Sequence, residues 1–342
     1  MSNLAAILPS AKVPLETHPL AIPTPAPHEI LVKNEVIAFN PVEYKIAKLG
    51  VIPLQYPAII GSTFAGTVEA TGSHVTNFQL GDRVVVSKKF GVVGNQYGAY
   101  QRYVVVGDIM VSKVPDNVDA AVPASLMMNL TCVVGLFTGR LGLDKPSLDD
   151  SVVPAKGQNI LIYGGSSSFG GLSVQYLSQA GYTVVTTSSP KHRDFVSRLG
   201  ATAVIDHTRE PDALVDELVA AGPFDVVVDM ISLPNTIAVT ARVLASQEGG
   251  KLYAMQPAFG PETLPDGVTR VFEPWSESLY EEQKRDLQTW AMETYLPEGI
   301  SRGFITPLPI EKVSGGLEGI NEALDRLHKG VSGVRLVADP WG

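Results

Sequence analysis

Asn159-Ile160-Leu161-Ile162-Tyr163-Gly164-Gly165-Ser166-Ser167-Ser168-Phe169-Gly170-Gly171 is the stretch on which the fold turns. Its apolar start reads as a buried strand, and the glycine-rich run after it opens onto a helical pattern over Gly171–Ala180. Glycines at such a turn allow a tight bend and close helix–strand contact, while the helix N-terminus offers N–H groups to a pyrophosphate. Measured against G-x-G-x-x-G from Gly165, the middle glycine is Ser167, a departure whose hydroxyl can itself donate to a phosphate. Two rival readings fail. A P-loop needs Gly-Lys-Ser/Thr at its end, and none follows. A hydrolase nucleophile elbow needs G-x-S-x-G, which the spacing around Ser168 does not supply.

The next strand, Thr183–Thr187, ends in Thr186-Thr187-Ser188-Ser189-Pro190-Lys191-His192-Arg193. An Asp or Glu there would bind the ribose 2′-OH of NAD and repel a 2′-phosphate. Hydroxyls and cations without a carboxylate suit that phosphate, so the expected cofactor is NADPH. The plainer reading is a helix start, with Ser189 as N-cap and Pro190 in the first helical position. Both readings can hold together. Beyond it, helical patterns at Lys191–Leu199, Asp212–Ala221 and Asn235–Leu244 alternate with strand patterns at Ala203–Ile205, Asp225–Val228 and Lys251–Met255. This alternation predicts an α/β region built as a doubly wound parallel sheet, whose ligands bind outside the carboxyl ends of the strands. Lys251–Met255 is a plausible sheet edge for pairing in a dimer; monomer and homodimer both stay open.

Upstream the pattern differs. His28–Phe39, Gly66–Ala70, Gly81–Val86 and Tyr100–Val106 are short β-runs broken by Gly and Pro, as in a small barrel or sandwich. Pro123–Phe137 is apolar without alternation and reads as a buried helix. The tail predicts helices at Ser276–Tyr295 and Gly316–Lys329, then a strand at Val334–Val337. The expected organisation is a β-rich domain over residues 1–122, a cofactor domain over 123–273 inserted into it, and a return over 274–342.

Composition narrows the chemistry. At 342 residues the chain is long enough for two domains, given roughly 100–200 residues in each. A formal charge of −9 argues against a nucleic-acid partner, which would need a clustered basic face. No run of about 18 apolar residues suggests a membrane span. The N-terminus lacks the basic start and long apolar stretch of a signal peptide, so a cytoplasmic location is expected. The single cysteine, Cys132, excludes an intrachain disulfide and a four-thiolate zinc site. The six histidines are scattered along the sequence with no close pair at metal-ligand spacing, so no catalytic metal is expected.

Several segments in order carry a resemblance: Phe39-Asn40-Pro41-Val42-Glu43-Tyr44-Lys45, Tyr56-Pro57-Ala58-Ile59-Ile60-Gly61, Phe64-Ala65-Gly66-Thr67-Val68, Gly81-Asp82-Arg83-Val84 and Gly200–His207. Over nearly its whole length the chain resembles the medium-chain dehydrogenase/reductase superfamily, which joins a GroES-like β-rich catalytic domain to an inserted Rossmann domain. Zinc enzymes of that superfamily place a Cys or Asp ligand near Asn40–Glu43 and Gly-His-Glu where Gly61-Ser62-Thr63 stands. Neither set is present, so the resemblance is to the zinc-independent quinone-reductase and enoyl-reductase branches. Within these the wording is most similar to the fungal trans-acting enoyl reductases, which serve polyketide synthases and polyketide–peptide hybrid synthases.

That resemblance implies roles by position. Pro41, Val42, Glu43, Tyr44 and Lys45 would serve the nicotinamide side. Gly165 and Ser166–Phe169, with Ser167 and Ser168 between, would hold the pyrophosphate, and Ser189, Pro190, Lys191 and His192 the 2′-phosphate. His207 would flank the adenine; Met230, Ile231, Tyr253 and Ala254 would lie beside nicotinamide; Ser332 and Gly333 would close over the cofactor. Substrate would touch Thr131, Val134, Phe137 and Gly139, and also Phe272 and Trp275.

The implied reaction delivers hydride from NADPH to the β-carbon of an enoyl thioester, and a proton to the α-carbon. Lys45 is the leading electrostatic residue, although a single lysine is more often a solvated surface group. Tyr44, Tyr56 and Tyr97 are candidate proton donors, and each reads equally well as a packed aromatic. Reduction of free quinones or aldehydes is the alternative within the same class. A non-redox isomerase or accessory role is the alternative outside it.

Overall fold

The computed structural model describes residues 2–149 and 153–342. The chain divides into two compact units, Met1–Thr131 with Leu279–Gly342, and Cys132–Ser278. The second is one continuous stretch inserted between the two parts of the first.

Among the described residues the first unit holds a seven-stranded sheet. Its order runs Ile310–Val313, Arg335–Ala338, Glu29–Ala38, Thr63–Thr71, Arg83–Ser87, Val111–Lys113, with Tyr103–Gly107 also paired to Glu29–Ala38. The ten-residue strand Glu29–Ala38 is the hub. Register shifts at Leu31/Val32 and Asn34/Val36 bend it, so that Thr63–Thr71 runs along one side while Tyr103–Gly107 and Arg335–Ala338 share the other. Ile30, Val32, Phe39, Phe64, Val84, Tyr100 and Val104 form the core with Ile320, Leu324 and Leu336 from the C-terminal stretch. Asn3–Ile7 and Glu16–Leu20 make a further antiparallel pair that the sequence reading did not find.

The C-terminal helices differ from expectation. Gly315 and Gly316 stand at φ +89° and +59°, which ends any helix there, and the helix spans only Ile320–Lys329. The expected helix Ser276–Tyr295 is instead two 3₁₀ turns, Trp275–Tyr280 and Glu282–Lys284, followed by a helical run from Arg285 to Ser301. That run widens to π geometry over Trp290–Tyr295, just before Pro297, whose ring would clash with a regular preceding turn.

Among the described residues the second unit holds a six-stranded sheet, every pair of it parallel. Its order is Ala203–Asp206, Thr183–Ser188, Asn159–Tyr163, Val226–Asp229, Gly250–Ala254, Val268–Val271. Numbered by sequence this is 3-2-1-4-5-6, the doubly wound order in which the strand order reverses between the first and fourth strands while all strands run parallel. Helices Ser168–Gln179, Arg193–Arg198, Pro211–Ala221 and Pro234–Ala245 connect the strands. The strand read as Lys251–Met255 is not an edge: it is flanked by Val226–Asp229 and by Val268–Val271. The four-residue outer strand escaped notice because it has one charged and one polar residue among four.

Pro123–Phe137 is helical as expected, within an α-helix Ala121–Val134 that continues as a π-helix to Arg140. By length and composition this helix, mean hydropathy 1.6 over its most apolar window, would suffice to cross a membrane. However, 72% of that window is buried, the mark of a core helix.

Candidate functional site

In the second unit, strand Asn159–Tyr163 ends at Gly164, whose φ of +96° turns the chain sharply. Gly165 lies so close to the neighbouring strand that a Cβ there would stand 2.3 Å from Thr186 Oγ1. Ser167 replaces the middle glycine without strain, at φ −75°. Its hydroxyl accepts from the Gly170 N–H at 3.0 Å and donates to the Gly164 carbonyl at 2.8 Å. The expected role therefore changes: this serine caps the helix rather than offering its O–H outward. The turn is pinned from the next strand, where Thr187 accepts the Gly164 N–H at 2.9 Å on its side chain and the Gly165 N–H at 2.8 Å on its carbonyl. A twelve-residue helix, Ser168–Gln179, thus points its positive end outward at the point where strand order reverses, with Ser166–Phe169 half-buried around it. Such a cradle fits a pyrophosphate.

After strand Thr183–Ser188 come Ser189 and a 3₁₀ turn, Pro190–His192, ahead of helix Arg193–Arg198. Pro190 takes the first helical position as expected, but the Ser189 side chain makes no cap bond. Lys191 is exposed, and Ser189 and His192 are half-buried. A carboxylate that the sequence reading passed over stands close by. Asp206 pairs with Ser188 across the ladder and accepts from the Thr208 N–H at 2.9 Å and hydroxyl at 2.8 Å. Those bonds, with the charges of His207 and Arg209, hold its carboxyl below the ordinary range.

At the end of strand Val226–Asp229 a polar knot appears. The Asp229 carboxylate, fully buried, accepts from the N–H groups of Ile231 at 2.9 Å and Ser232 at 2.8 Å. Ser232 is held at φ +55°. Its hydroxyl donates to the Asp229 carbonyl at 2.6 Å and accepts the Met255 N–H at 2.8 Å. The Gln256 amide donates to the Ser232 carbonyl at 2.8 Å, and Arg270 donates to the Gln256 carbonyl at 2.7 Å. Burial pushes the Asp229 carboxyl up, against these hydrogen bonds and Arg270. This knot fixes the segments carrying Met230, Ile231, Tyr253 and Ala254. Sequence reasoning did not nominate Asp229, Ser232, Gln256 or Arg270; a lone Asp–x–x–Ser is too common to signal one.

The residues read as substrate contacts divide. Thr131, Val134 and Phe137 are buried: the Thr131 hydroxyl donates to the Met128 carbonyl at 2.8 Å, and Phe137 stacks on Tyr176. Gly139 approaches Ser278 so closely that a Cβ would lie 2.5 Å from its Oγ. Trp275 is buried too, its indole N–H donating to the Ala254 carbonyl at 2.8 Å. Core positions present no surface to a ligand, and an apolar sequence run does not distinguish a core face from a binding face. Phe272 alone of the set is exposed.

In the first unit, Asn40 precedes the short helix Pro41–Tyr44, which passes directly into a π-helical turn, Lys45–Leu49. Glu43 faces inward and is fully buried. It accepts from the Asn40 N–H at 2.7 Å, the Ser62 N–H at 2.9 Å, the Tyr100 hydroxyl at 3.0 Å and the Asn40 amide at 3.3 Å. Buried Arg335 joins through the Asn40 side-chain oxygen at 3.0 Å. Burial lowers the Arg335 guanidinium to about 10, while the Glu43 charge pulls it back up. Burial likewise raises the Glu43 carboxyl, opposed by its four donors. Glu43 is thus an internal strut, not the cofactor contact expected of it. Val42, Tyr44 and Lys45 are half-buried, and Pro41 is exposed. Desolvation lowers the Lys45 ammonium. Tyr44 stacks on His328 with centroids 5.3 Å apart. Tyr97 loses its standing as a proton donor, since its hydroxyl donates to Glu29 at 2.7 Å. Ser332 is exposed and Gly333 half-buried at φ +66°. Ser62 and Thr63, where zinc enzymes carry ligands, join the Glu43–Asn40 network instead. Among the described residues no three His, Cys, Asp or Glu side chains gather as a metal site.

Comparison with known proteins places this geometry. Residues 26–116 match the family described as alcohol dehydrogenase GroES-like domain, and residues 169–265 that described as zinc-binding dehydrogenase. The dehydrogenase orsE of Emericella nidulans is 34% identical over 99% of both chains. The trans-enoyl reductase himH of Aspergillus japonicus is 32% identical over 98% of this chain and 97% of its own. The structure of mycobacterial Rv1454c complexed with NADPH superposes with a TM-score of 0.74 at 24% identity, over 99% of this chain and 100% of that one. Matched from end to end by such relatives, the chain belongs to the medium-chain dehydrogenase/reductase superfamily of oxidoreductases.

Proposed function

We propose that this chain is an NADPH-dependent, trans-acting enoyl reductase that reduces an α,β-unsaturated thioester presented by a polyketide synthase or polyketide–peptide hybrid synthase. The observation that carries the reading is the end-to-end likeness to a protein named for that reaction, himH. The doubly wound sheet with its phosphate cradle agrees with it, as do the cations and hydroxyls of Ser189–Arg193.

NADPH, when bound, supplies the hydride. The chain's own residues bind and orient. The Gly165–Phe169 turn and the N-terminus of the helix after it would hold the pyrophosphate, and Ser189, Lys191 and His192 would hold the 2′-phosphate. The Asp229 knot fixes the turn that carries Met230 and Ile231, the residues that would serve the nicotinamide side. Lys45, positioned by the Glu43 strut two residues before it, stabilises the negative charge that develops on the thioester oxygen.

The test offers purified protein NADPH with a 2-enoyl pantetheine thioester, a quinone and an aldehyde side by side. Selective oxidation with the thioester is expected. Turnover only with quinone or aldehyde would replace the proposal by a general reductase, and no oxidation with any of them would overturn the redox reading.

A further inference from the structure

Two histidines that are 46 residues apart in sequence meet on the surface of the first unit. His74 Nδ1 lies 3.1 Å from His28 Nε2, both rings exposed, with centroids 4.7 Å apart and planes at 65°. Their backbones are tied to each other and to the sheet. The His74 N–H donates to the Pro27 carbonyl at 2.8 Å, and the Gly72 N–H to the Glu29 carbonyl at 2.8 Å. The His28 carbonyl accepts the Asp108 N–H at 3.1 Å. The two turns come so close that a Cβ on Gly72 would stand 1.9 Å from the Ala26 carbonyl oxygen, so only glycine permits the approach.

We propose that His28 and His74 form a two-imidazole binding site for a borderline divalent transition metal, Cu²⁺, Ni²⁺ or Zn²⁺, separate from the residues assigned to catalysis. Two nitrogens each about 2.0–2.1 Å from one ion lie about 2.9 Å apart in a square-planar cis arrangement and about 3.4 Å apart in a tetrahedral one. The observed 3.1 Å falls between these values, so rotation of the rings converts a ring-to-ring hydrogen bond into chelation with little backbone movement. The neighbouring carboxylate does not compete: Glu29 accepts from the Tyr97 hydroxyl at 2.7 Å and from the Ala26 N–H at 2.9 Å. With nitrogen donors alone, the site selects these ions over Ca²⁺ and Mg²⁺, which need oxygen cages. Water completes the coordination, and a chain of net charge −9 favours cation approach.

The test titrates the intact protein with Cu²⁺ and with Zn²⁺ against a chromophoric competing chelator, beside His28→Ala, His74→Ala and His18→Ala. His18 is an exposed control that contacts Glu16 at 3.2 Å. Expected is one site in the wild type and in His18→Ala. Either His28→Ala or His74→Ala should weaken it at least about tenfold, the lower end of what losing even an outer partner of a ligating histidine costs. Circular dichroism confirms that the surface variants remain folded. Equal binding by wild type and by His28→Ala or His74→Ala would overturn the proposal, as would loss of the site in His18→Ala. The readout is metal affinity, so failure of the enoyl-reductase reading leaves this result untouched.

Discussion

Glu43 and Asp229 are both fully buried carboxylates beside segments assigned to the reaction, yet they are built in opposite ways. Asp229 draws its direct backbone donors from two and three residues ahead, and one of them, Ser232, is tied in turn to Met255 and Gln256, which follow the adjacent strand. It is a local turn reinforced across one ladder. Glu43 gathers Ser62, Tyr100 and, through Asn40, Arg335, which is 295 residues from Asn40. It is a junction of four chain segments around a buried cation. The difference teaches that one charge shapes a turn, whereas the other answers a charge that would otherwise be stranded.

The largest expected effect follows from that contrast. Glu43→Ala leaves the Ser62 N–H and Tyr100 hydroxyl unmet and the Arg335 charge without its counterpart, at a cost of about 3–5 kcal/mol. Urea unfolding of the first unit, followed by the fluorescence of its tryptophans, measures this. Isosteric variants sharpen the comparison. Asp229→Asn keeps an oxygen for both N–H groups, so it should destabilise by about 1 kcal/mol, while Glu43→Gln should cost at least about 2 kcal/mol more. Equal losses would mean that the Arg335 charge does not distinguish the two sites.

Next is turnover. Lys45→Ala should lower kcat by about a hundredfold, with circular dichroism and melting unchanged, as for removal of one preorganised electrostatic group. A near-normal rate would remove Lys45 from the mechanism and leave the Glu43 strut a purely structural feature. Ser232 is the third test. Ser232→Gly relieves a strained φ but deletes two hydrogen bonds, and Ser232→Ala deletes the same bonds while keeping the strain. The alanine variant should therefore be the less stable by about 1 kcal/mol. Both should raise the KM for NADPH if the knot positions Met230 and Ile231. The smallest effect is expected at Lys191. Lys191→Ala should raise the KM for NADPH about tenfold and leave that for NADH nearly unchanged, since it removes one phosphate partner. An equal change for both cofactors would reject the 2′-phosphate assignment and turn attention to Asp206.

Legibility in the sequence followed the range of the interactions. The strand at Asn159–Tyr163, the helix after it and the βα alternation to Gly250–Ala254 were readable because each rests on local hydrophobic period and glycine placement. Ser167 was visible as a departure from a motif, but its use as an N-cap was not, because capping depends on where the Gly164 carbonyl and Gly170 N–H end up. Trp275 and Phe137 were read as substrate contacts since an aromatic side chain looks the same in sequence whether it fills a core or lines a site.

By itself, then, the sequence determined the class of fold, the glycine-rich turn that opens the parallel sheet's first helix, and the shortage of metal-binding thiols. These depend on residue type, on period, and on neighbours within about one turn of helix or one strand. Only the tertiary structure decided that Glu43 is a strut and that Val268–Val271 covers the sheet edge. It alone also decided that Ser232 ties two strand ends together and that His28 meets His74. Each of these is a pairing of groups far apart in the chain. A hydrogen bond or ion pair acts over a few ångströms, so its partners stay undefined until folding has chosen which distant segments share a surface.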